Sequence, residues 1–340
     1  MTATNPTDLV ADKRAALDGL RAIVDSSPAS LGRAIAGIYH ADAKWRGAHP
    51  LNELRGVDAI ENSVWRPLLN AMPDLERRDA IFIGGDWEGA RYIGAVGNLL
   101  GTFRRDYLGI AATGGAMFLR YGEYHKMAGG KIMQSTVLFD ILDFIRQTGH
   151  WPLAPSLGAA EMWPGPVTAD GLVLAPQDPQ QSAASIELVL GMHETINSYD
   201  DNLDNSRDGL LNMRQKDFWH PKMMWYGPAG IGAARGLEGY VDAHQLPFRR
   251  AFPNRVAVGH YVRFGDGKYA ATGGWPSVQA RHTGGNWLGL PPSGREVSMR
   301  VMDFYLCDGG RIRENWVPLD MLDLLLQMDV DVLARMRARR

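Results

Sequence analysis

The residues that could do chemistry gather in the second half of the chain, and the first of them is an aspartate. Strand alternation along Met299–Tyr305 puts Met299, Val301, Asp303 and Tyr305 on one face, with Arg300, Met302 and Phe304 on the other. A carboxylate among apolar neighbours loses solvation and its pKa rises, as suits a group that takes up and returns a proton near neutral pH. The same aspartate would serve as a loop cap or as the partner of a neighbouring arginine. On the returning strand, Ile312, Glu314 and Trp316 share a face. Trp316 reads as the floor for a flat ligand or as core packing, and Glu314 as a second pocket carboxylate or the partner of Arg300. Tyr226 follows Trp225 and reads as a donor to an oxygen that gains negative charge, or as packing. His282, just before Thr283-Gly284-Gly285-Asn286, and His260, just after Gly259, could orient a carboxylate or ester carbonyl if their strands point inward.

Other chemistries have little support. The nine histidines form no His-x-x-x-His, His-x-His or compact carboxylate set, so no metal is expected. Cys307 is the one cysteine, which excludes an internal disulfide and a thiolate cluster. Gly230, Gly232 and Gly236 lack the spacing and the parallel βαβ setting of a dinucleotide loop, and no phosphate loop is present. No cofactor is expected.

The chain that must position these residues has 340 of them, enough for two domains. Its 36 Lys and Arg against 38 Asp and Glu leave −2, so no field marks a nucleic-acid or membrane-surface partner. Apolar runs fall short of the ~18 residues of a membrane span. The first ten residues lack the basic region and apolar core of a signal peptide. The expectation is a cytoplasmic protein.

Sliding the chain along itself by 180 residues gives a register that holds without net insertion. His40, Trp45, Arg55-Gly56 and Pro67 fall on His220, Trp225, Arg235-Gly236 and Pro247. Leu108-Gly109, Arg120 and Gly129-Gly130 fall on Leu288-Gly289, Arg300 and Gly309-Gly310, and Asp140 and Asp143 on Asp320 and Asp323. Each half therefore folds alike. The patterns predict helices over Pro6–Val24, Gly56–Met72, Ala183–Tyr199, Ser206–Phe218 and Gly236–Phe252, with short ones over 140–147 and 320–336. Strands are predicted over Met117–Met127, Lys131–Leu138, Val256–Phe264, Val297–Cys307 and Arg311–Val317. His40 and His220 read as hydrogen-bonding a helix end. Helices followed by a meandering sheet make each half α+β.

Asn286-Trp-Leu-Gly-Leu-Pro-Pro-Ser-Gly-Arg-Glu-Val297, Met302–Tyr305, Gly309–Ile312 and Glu314-Asn-Trp316 resemble a SnoaL-like polyketide cyclase (ester cyclase) domain. The first half carries a degraded copy in Tyr107–Gly114, Glu123-Tyr-His125 and Gly130–Ile132. The resemblance implies two tandem NTF2-like cone-shaped domains, each a curved antiparallel sheet packed against three helices around an apolar pocket. They would occupy residues 9–150 and 183–340, with a proline-rich linker at 151–182. It also implies cofactor-free chemistry: intramolecular aldol closure, or a related lyase or isomerase step, on a small apolar or aromatic carbonyl ligand. Asp303 stands at the family's acid/base position, with His282 and Tyr226 as helpers, and Trp225, Trp316, Met299, Tyr305, His260 and Glu314 around the ligand. The first-half counterparts are Glu123, His125 and Trp45; His125 reads as an acid–base partner of Glu123 or as an exposed strand end. Gln134 and Thr136 replace Glu314 and Trp316 there, which favours the second half as the working site. The same fold hosts non-catalytic binding and scaffold proteins and dehydratases, and its pairing would be a pseudo-dimer within the chain or a homodimer.

Overall fold

The computed structural model describes residues 6–197 and 206–337. They divide into two compact units: the described residues of Met1–His150, Gly165–Pro176 and Val332–Arg340, and those of Trp151–Pro164 and Gln177–Asp331. The proline-rich stretch is thereby shared out. In unit one, Phe82 N–H donates to the Gly171 carbonyl at 2.8 Å; in unit two, Gly158 N–H donates to Ile231 at 2.7 Å.

Unit one opens with α1 (Pro6–Val24) and α2 (Leu31–Ile38). Ala16, Leu17, Leu20, Ile23 and Val24 on α1 are buried, as are Leu31, Ile35 and Ile38 on α2. That spacing is a helical apolar stripe, and each fully buried Leu or Ile contributes roughly 1.5–3 kcal/mol. β1 (Tyr39–Gly47) and β2 (Glu53–Arg55) follow, then α3 (Val57–Ile60), a π-helical turn at Glu61–Trp65, and α4 (Arg66–Ala71). Pro67 explains the wide turn: it has no N–H to donate and its ring crowds the carbonyl four residues back, so the ladder slips. β3 (Glu76–Trp87), β4 (Ala90–Thr102), β5 (Ala116–Ala128), β6 (Lys131–Phe139) and α5 (Ile141–Gln147) complete this run. The sheet order is β2-β1-β6-β5-β4-β3.

Unit two repeats the plan. Its elements are α6 (Pro179–Asn197), α7 (Arg207–Leu211), a 3-10 turn at Arg214–Asp217, β7 (Trp219–Tyr226) and β8 (Ala233–Arg235). Next come α8 (Gly236–Tyr240), a π turn at Val241–Gln245 and α9 (Leu246–Ala251), with Pro247 acting as Pro67 does. β9 (Val256–Ala257), β10 (Val262–Asp266), β11 (Tyr269–Arg281), β12 (Glu296–Asp308), β13 (Arg311–Trp316) and α10 (Met321–Gln327) follow. The helix α11 (Val332–Arg337) belongs to unit one. The sheet order is β10-β11-β12-β13-β7-β8, with β9 on β11.

The conserved register has physical content. Leu108 and Gly109, and Leu288 and Gly289, all have positive φ, which a two-residue type I′ connection demands. The Asp140 and Asp320 carboxylates accept the N–H of Asp143 at 3.0 Å and of Asp323 at 3.2 Å, capping α5 and α10. Arg300 lies 3.0 Å from Asp320 and 3.3 Å from Asp323, so its partners are these and not Glu314. His40 and His220 sit on strands, and their Nδ1 atoms accept the N–H two residues on, at 3.2 and 2.9 Å. They stabilise the irregularity where β1 shifts register on β6 and β7 on β13.

Several expectations are corrected. The cone-shaped antiparallel sheet on three helices is not what these units contain. Each main sheet is an open path with two unjoined ends, neither closed nor curled into a cone. β1 runs parallel to β6 and β7 parallel to β13, so both sheets are mixed, and each unit has more than three helical segments. The hairpins were legible locally; the pairing of a unit's first strand with its last was not. Ser206–Phe218 breaks into α7 and the 3-10 turn, and Val256–Phe264 into β9 and β10. The predicted end of α6 at Tyr199 lies outside the described residues.

Candidate active site

A cavity of about 210 Å³ lies in unit two, walled by the sheet, α6 and the α8–α9 segment. Trp219, Trp225, Tyr240, Phe248 and Trp287 supply rings, and Asp303 supplies the one carboxylate; no lysine or arginine lines it among the described residues. Met299, Val301, Asp303 and Tyr305 all reach this wall, as alternation along β12 requires.

Asp303 is half-buried and reached from the cavity. Asn315, directly across from Tyr305 on β13, donates its amide to Asp303 Oδ1 at 3.2 Å and to the Phe304 carbonyl at 3.2 Å. Tyr305 also hydrogen-bonds Asp303, and its hydroxyl lies 2.9 Å from His193 Nε2 on α6. Burial pushes Asp303 up to about 6, while the bonds from Asn315 and Tyr305 pull it down without cancelling the shift. His193, His244 and His260 also line the cavity. Burial lowers them to about 3, about 3 and about 4, so they are neutral at pH 7. His244 stacks on Trp225 with centroids 4.3 Å apart, and His193 lies 5.2 Å from the ring of His260.

The cavity opens where the two units differ. β3 runs unbroken from Glu76 to Trp87, whereas residues 258–261 interrupt its counterpart between β9 and β10. Gly259 there has a φ of 128°, and β11 shifts register between Gly274 and Val278. Ala257, Gly259, His260, Ser277 and Val278 consequently form part of the wall.

At the matched positions unit one is filled with charge. Arg77 pairs with Glu123 and, at 2.7 Å, with Asp79. Tyr121 donates to Asp79 at 2.7 Å and lies under the Arg77 guanidinium, 4.6 Å from ring centroid to Cζ. His125 Nε2 is 3.1 Å from Glu123, and its Nδ1 is 2.7 Å from Ser135 Oγ, which meets Tyr39 Oη at 2.9 Å. Burial would raise the Glu123 pKa, but the Arg77 and His125 charges and bonds hold it down at about 2. Unit two has Ala257, Gly259, Val301, Tyr305 and Asn315 where Arg77, Asp79, Tyr121, His125 and Ser135 stand. The cations are gone, and one carboxylate is left.

The structure brings together Asp303, Tyr305, Met299, Trp225 and His260. It does not bring Tyr226, Glu314, Trp316 or His282 to them. Tyr226 Oη donates to Glu314 at 2.8 Å, its ring lies 5.2 Å from that of Trp316, and Trp316 Nε1 donates to the Pro164 carbonyl at 2.9 Å. The register explains the reversal. Asn315 pairs with Tyr305 and Trp225, so Asn315 and Val317 face the cavity while 314, 316 and 226 face away. His282 Nδ1 accepts from Ser293 N–H at 3.2 Å and its ring lies 5.2 Å from Phe252, tying down the loop. In unit one, His125 and Trp45 are fully buried, so the exposed strand end is also corrected. Asn315 and His193 were missed. For Asn315 no local signal existed; His193 could have been found as a polar residue on the helical stripe of Val189, Met192 and Ile196.

The model of the SnoaL-like polyketide cyclase family matches residues 205–328. That is the stretch that builds most of the cavity wall. No curated protein matches the chain. Among solved structures, a proposed SnoaL-like polyketide cyclase from Jannaschia sp. CCS1 is 18% identical over 46% of this chain and 98% of that one, with a TM-score of 0.36. IdmH, a proposed polyketide cyclase from Streptomyces antibioticus, is 22% identical over 42% and 97%, with a TM-score of 0.32. AclR, a proposed hydroxylase from Streptomyces galilaeus, is 16% identical over 43% and 86%, with a TM-score of 0.35. Each is a distant likeness spanning less than half of this chain. Among the described residues, no group of three or more His, Cys, Asp or Glu is placed to hold a metal ion. Nor, among the described residues, is any helix long and apolar enough to cross a membrane.

Proposed function

We propose that unit two carries out cofactor-free proton transfer on an uncharged apolar carbonyl compound, with Asp303 as general acid/base. The observation that carries this is the setting of Asp303: a carboxylate raised to about 6 in an aromatic cavity with no lysine or arginine among its described lining residues, held by Asn315 and Tyr305. At neutral pH such a group is ionised enough to remove a proton α to a carbonyl, and basic enough to do so usefully. It then returns the proton to the oxygen formed when the enolate adds to a second carbonyl. This is the balance of an intramolecular aldol closure, the chemistry of the polyketide cyclases whose family model matches here. A related lyase or isomerase step needs the same group.

The cavity limits the substrate. A cavity of about 150 Å³ can hold benzene, so about 210 Å³ suits one or two fused rings. A carboxylate substrate would meet ionised Asp303 and, among the described lining residues, no balancing lysine or arginine.

The test uses 2-tetralone, a neutral bicyclic ketone with acidic benzylic hydrogens, in D₂O at neutral pD. Proton NMR follows loss of those hydrogens. The full chain accelerates exchange, and Asp303→Asn loses about 100-fold or more of the acceleration while still binding the ketone. Equal exchange by both proteins rules out Asp303 as the base. Binding without acceleration by either supports a carrier role for the cavity instead.

A further inference from the structure

His193 has no part in the mechanism above, yet it is tied to its central carboxylate. It projects from α6, whose own nearby acids Glu187 and Glu194 are exposed. Tyr305 of β12 meets it at 2.9 Å, with Asp303 beyond, and His260 flanks it from the segment before β10 at 5.2 Å between centroids. Tyr240 is the remaining titratable group that acts on Asp303 from the α8–α9 side, and Arg263 acts on His260. Asp303, Tyr305 and His193 therefore form a continuous hydrogen-bonded row from carboxylate to imidazole.

Resting on the acid/base reading, we propose that this row is a proton relay in which His193 changes tautomer as Asp303 gains and loses its proton. A phenol has one hydrogen to give. With Asp303 ionised, Tyr305 donates to the carboxylate, so His193 must present Nε2–H to the phenol oxygen. Asp303 becomes protonated when the substrate's C–H bond breaks and its electron pair moves onto the carbonyl oxygen. The carboxylic O–H then donates to Tyr305, His193 takes a proton from water at Nδ1 and gives up its Nε2 proton to water, and Tyr305 turns its hydrogen to the bared Nε2.

When Asp303 exchanges this proton with solvent instead of returning it to the product oxygen, the carboxylic O–H breaks and a new O–H forms on Tyr305. The old Tyr305 hydrogen goes to Nε2, and Nδ1 releases its proton to water or to His260. The net result is one proton moved from Asp303 to the far side of the imidazole, with Asp303 again the only charged member. Burial, with His260 adding to it, keeps His193 neutral, so the tautomeric exchange is favoured over a lasting imidazolium. His193 is thus a positioning and relay residue for Asp303.

Labelling the full chain with ¹⁵N-histidine and ¹³C-aspartate tests this between pH 5 and 8. The two ring nitrogens of His193 should exchange their protonated and unprotonated shifts, with the midpoint of the Asp303 titration, and should not do so in Asp303→Asn or Tyr305→Phe. A single His193 tautomer while Asp303 titrates near 6 overturns the relay and leaves the acid/base reading intact. The same holds if His193 instead becomes an imidazolium. An ordinary Asp303 pKa overturns the reading and the relay with it. His193→Gln offers a second measurement, since it keeps a donor towards Tyr305 but has no second nitrogen. With 2-tetralone saturating, solvent deuterium should enter it about tenfold more slowly; unchanged entry overturns the relay.

Discussion

Asp303 and Glu123 occupy the same place in the two units and titrate in opposite directions, with opposite consequences for stability. Asp303 is raised from 3.8 to about 6 in the folded chain. The folded state therefore holds its proton more tightly than the unfolded one. Its cost to stability is absent below pH 3.8, grows as pH rises towards about 6, and is complete above that. The shift corresponds to about 2–3 kcal/mol, so Asp303→Asn should be more stable than the parent by about 2 kcal/mol at pH 8 and no more stable at pH 3.5. Glu123 is lowered from 4.5 to about 2, by Arg77 and His125 against the effect of burial. Its stabilisation is present above pH 4.5 and is lost as pH falls towards 2. Glu123→Gln leaves Arg77 short of a buried partner and should cost about 3 kcal/mol at pH 8. Denaturant titration of the full chain at the two pH values reads both signs; two destabilising substitutions would contradict the description of Asp303.

At the scale of elements, the interruption between β9 and β10 forms one part of the cavity wall, and Gly259 lies within it. Its φ of 128° is one that an L-residue adopts with strain. Gly259→Ala meets no neighbour within 4 Å, so its effect is conformational: a loss of about 1–2 kcal/mol and weaker 2-tetralone binding as His260 is displaced. Unchanged binding by calorimetry would separate the segment from the site. This element also shows where reading the sequence succeeds and stops. Gly-rich hairpin turns, proline-terminated helices and the alternation along β12 are local, and they placed Asp303, Met299 and Tyr305 on one wall. The face of β13 is not local. It depends on register with β12 and on the shift against β7, and a one-residue change turns every side chain over. Glu314, Trp316 and Tyr226 were thus read onto the cavity in place of Asn315 and Val317. The broken strand was hidden because Val256, Val258 and Val262 look like a continuous one.

Across the whole molecule, one plan is used in two ways. Where unit two keeps a cavity, unit one packs Arg77, Asp79, Glu123 and Tyr121. Buried charges of this kind must keep their partners, so a neutral ring entering among them would cost more than it gained. The chain should therefore bind one equivalent of 2-tetralone, and calorimetry that found two would place a second site in unit one. The contrast can be imposed on unit two. Val301 lines the cavity beside Asp303 and stands where unit one has Tyr121. Val301→Tyr brings a ring into that space and should abolish binding. Loss of binding could also follow from a disturbed β12, so the Asp303 titration decides between the two. If the ring simply fills the cavity, exclusion of its water keeps Asp303 at or above about 6. An ordinary carboxylate pKa would mean that the strand had opened to solvent.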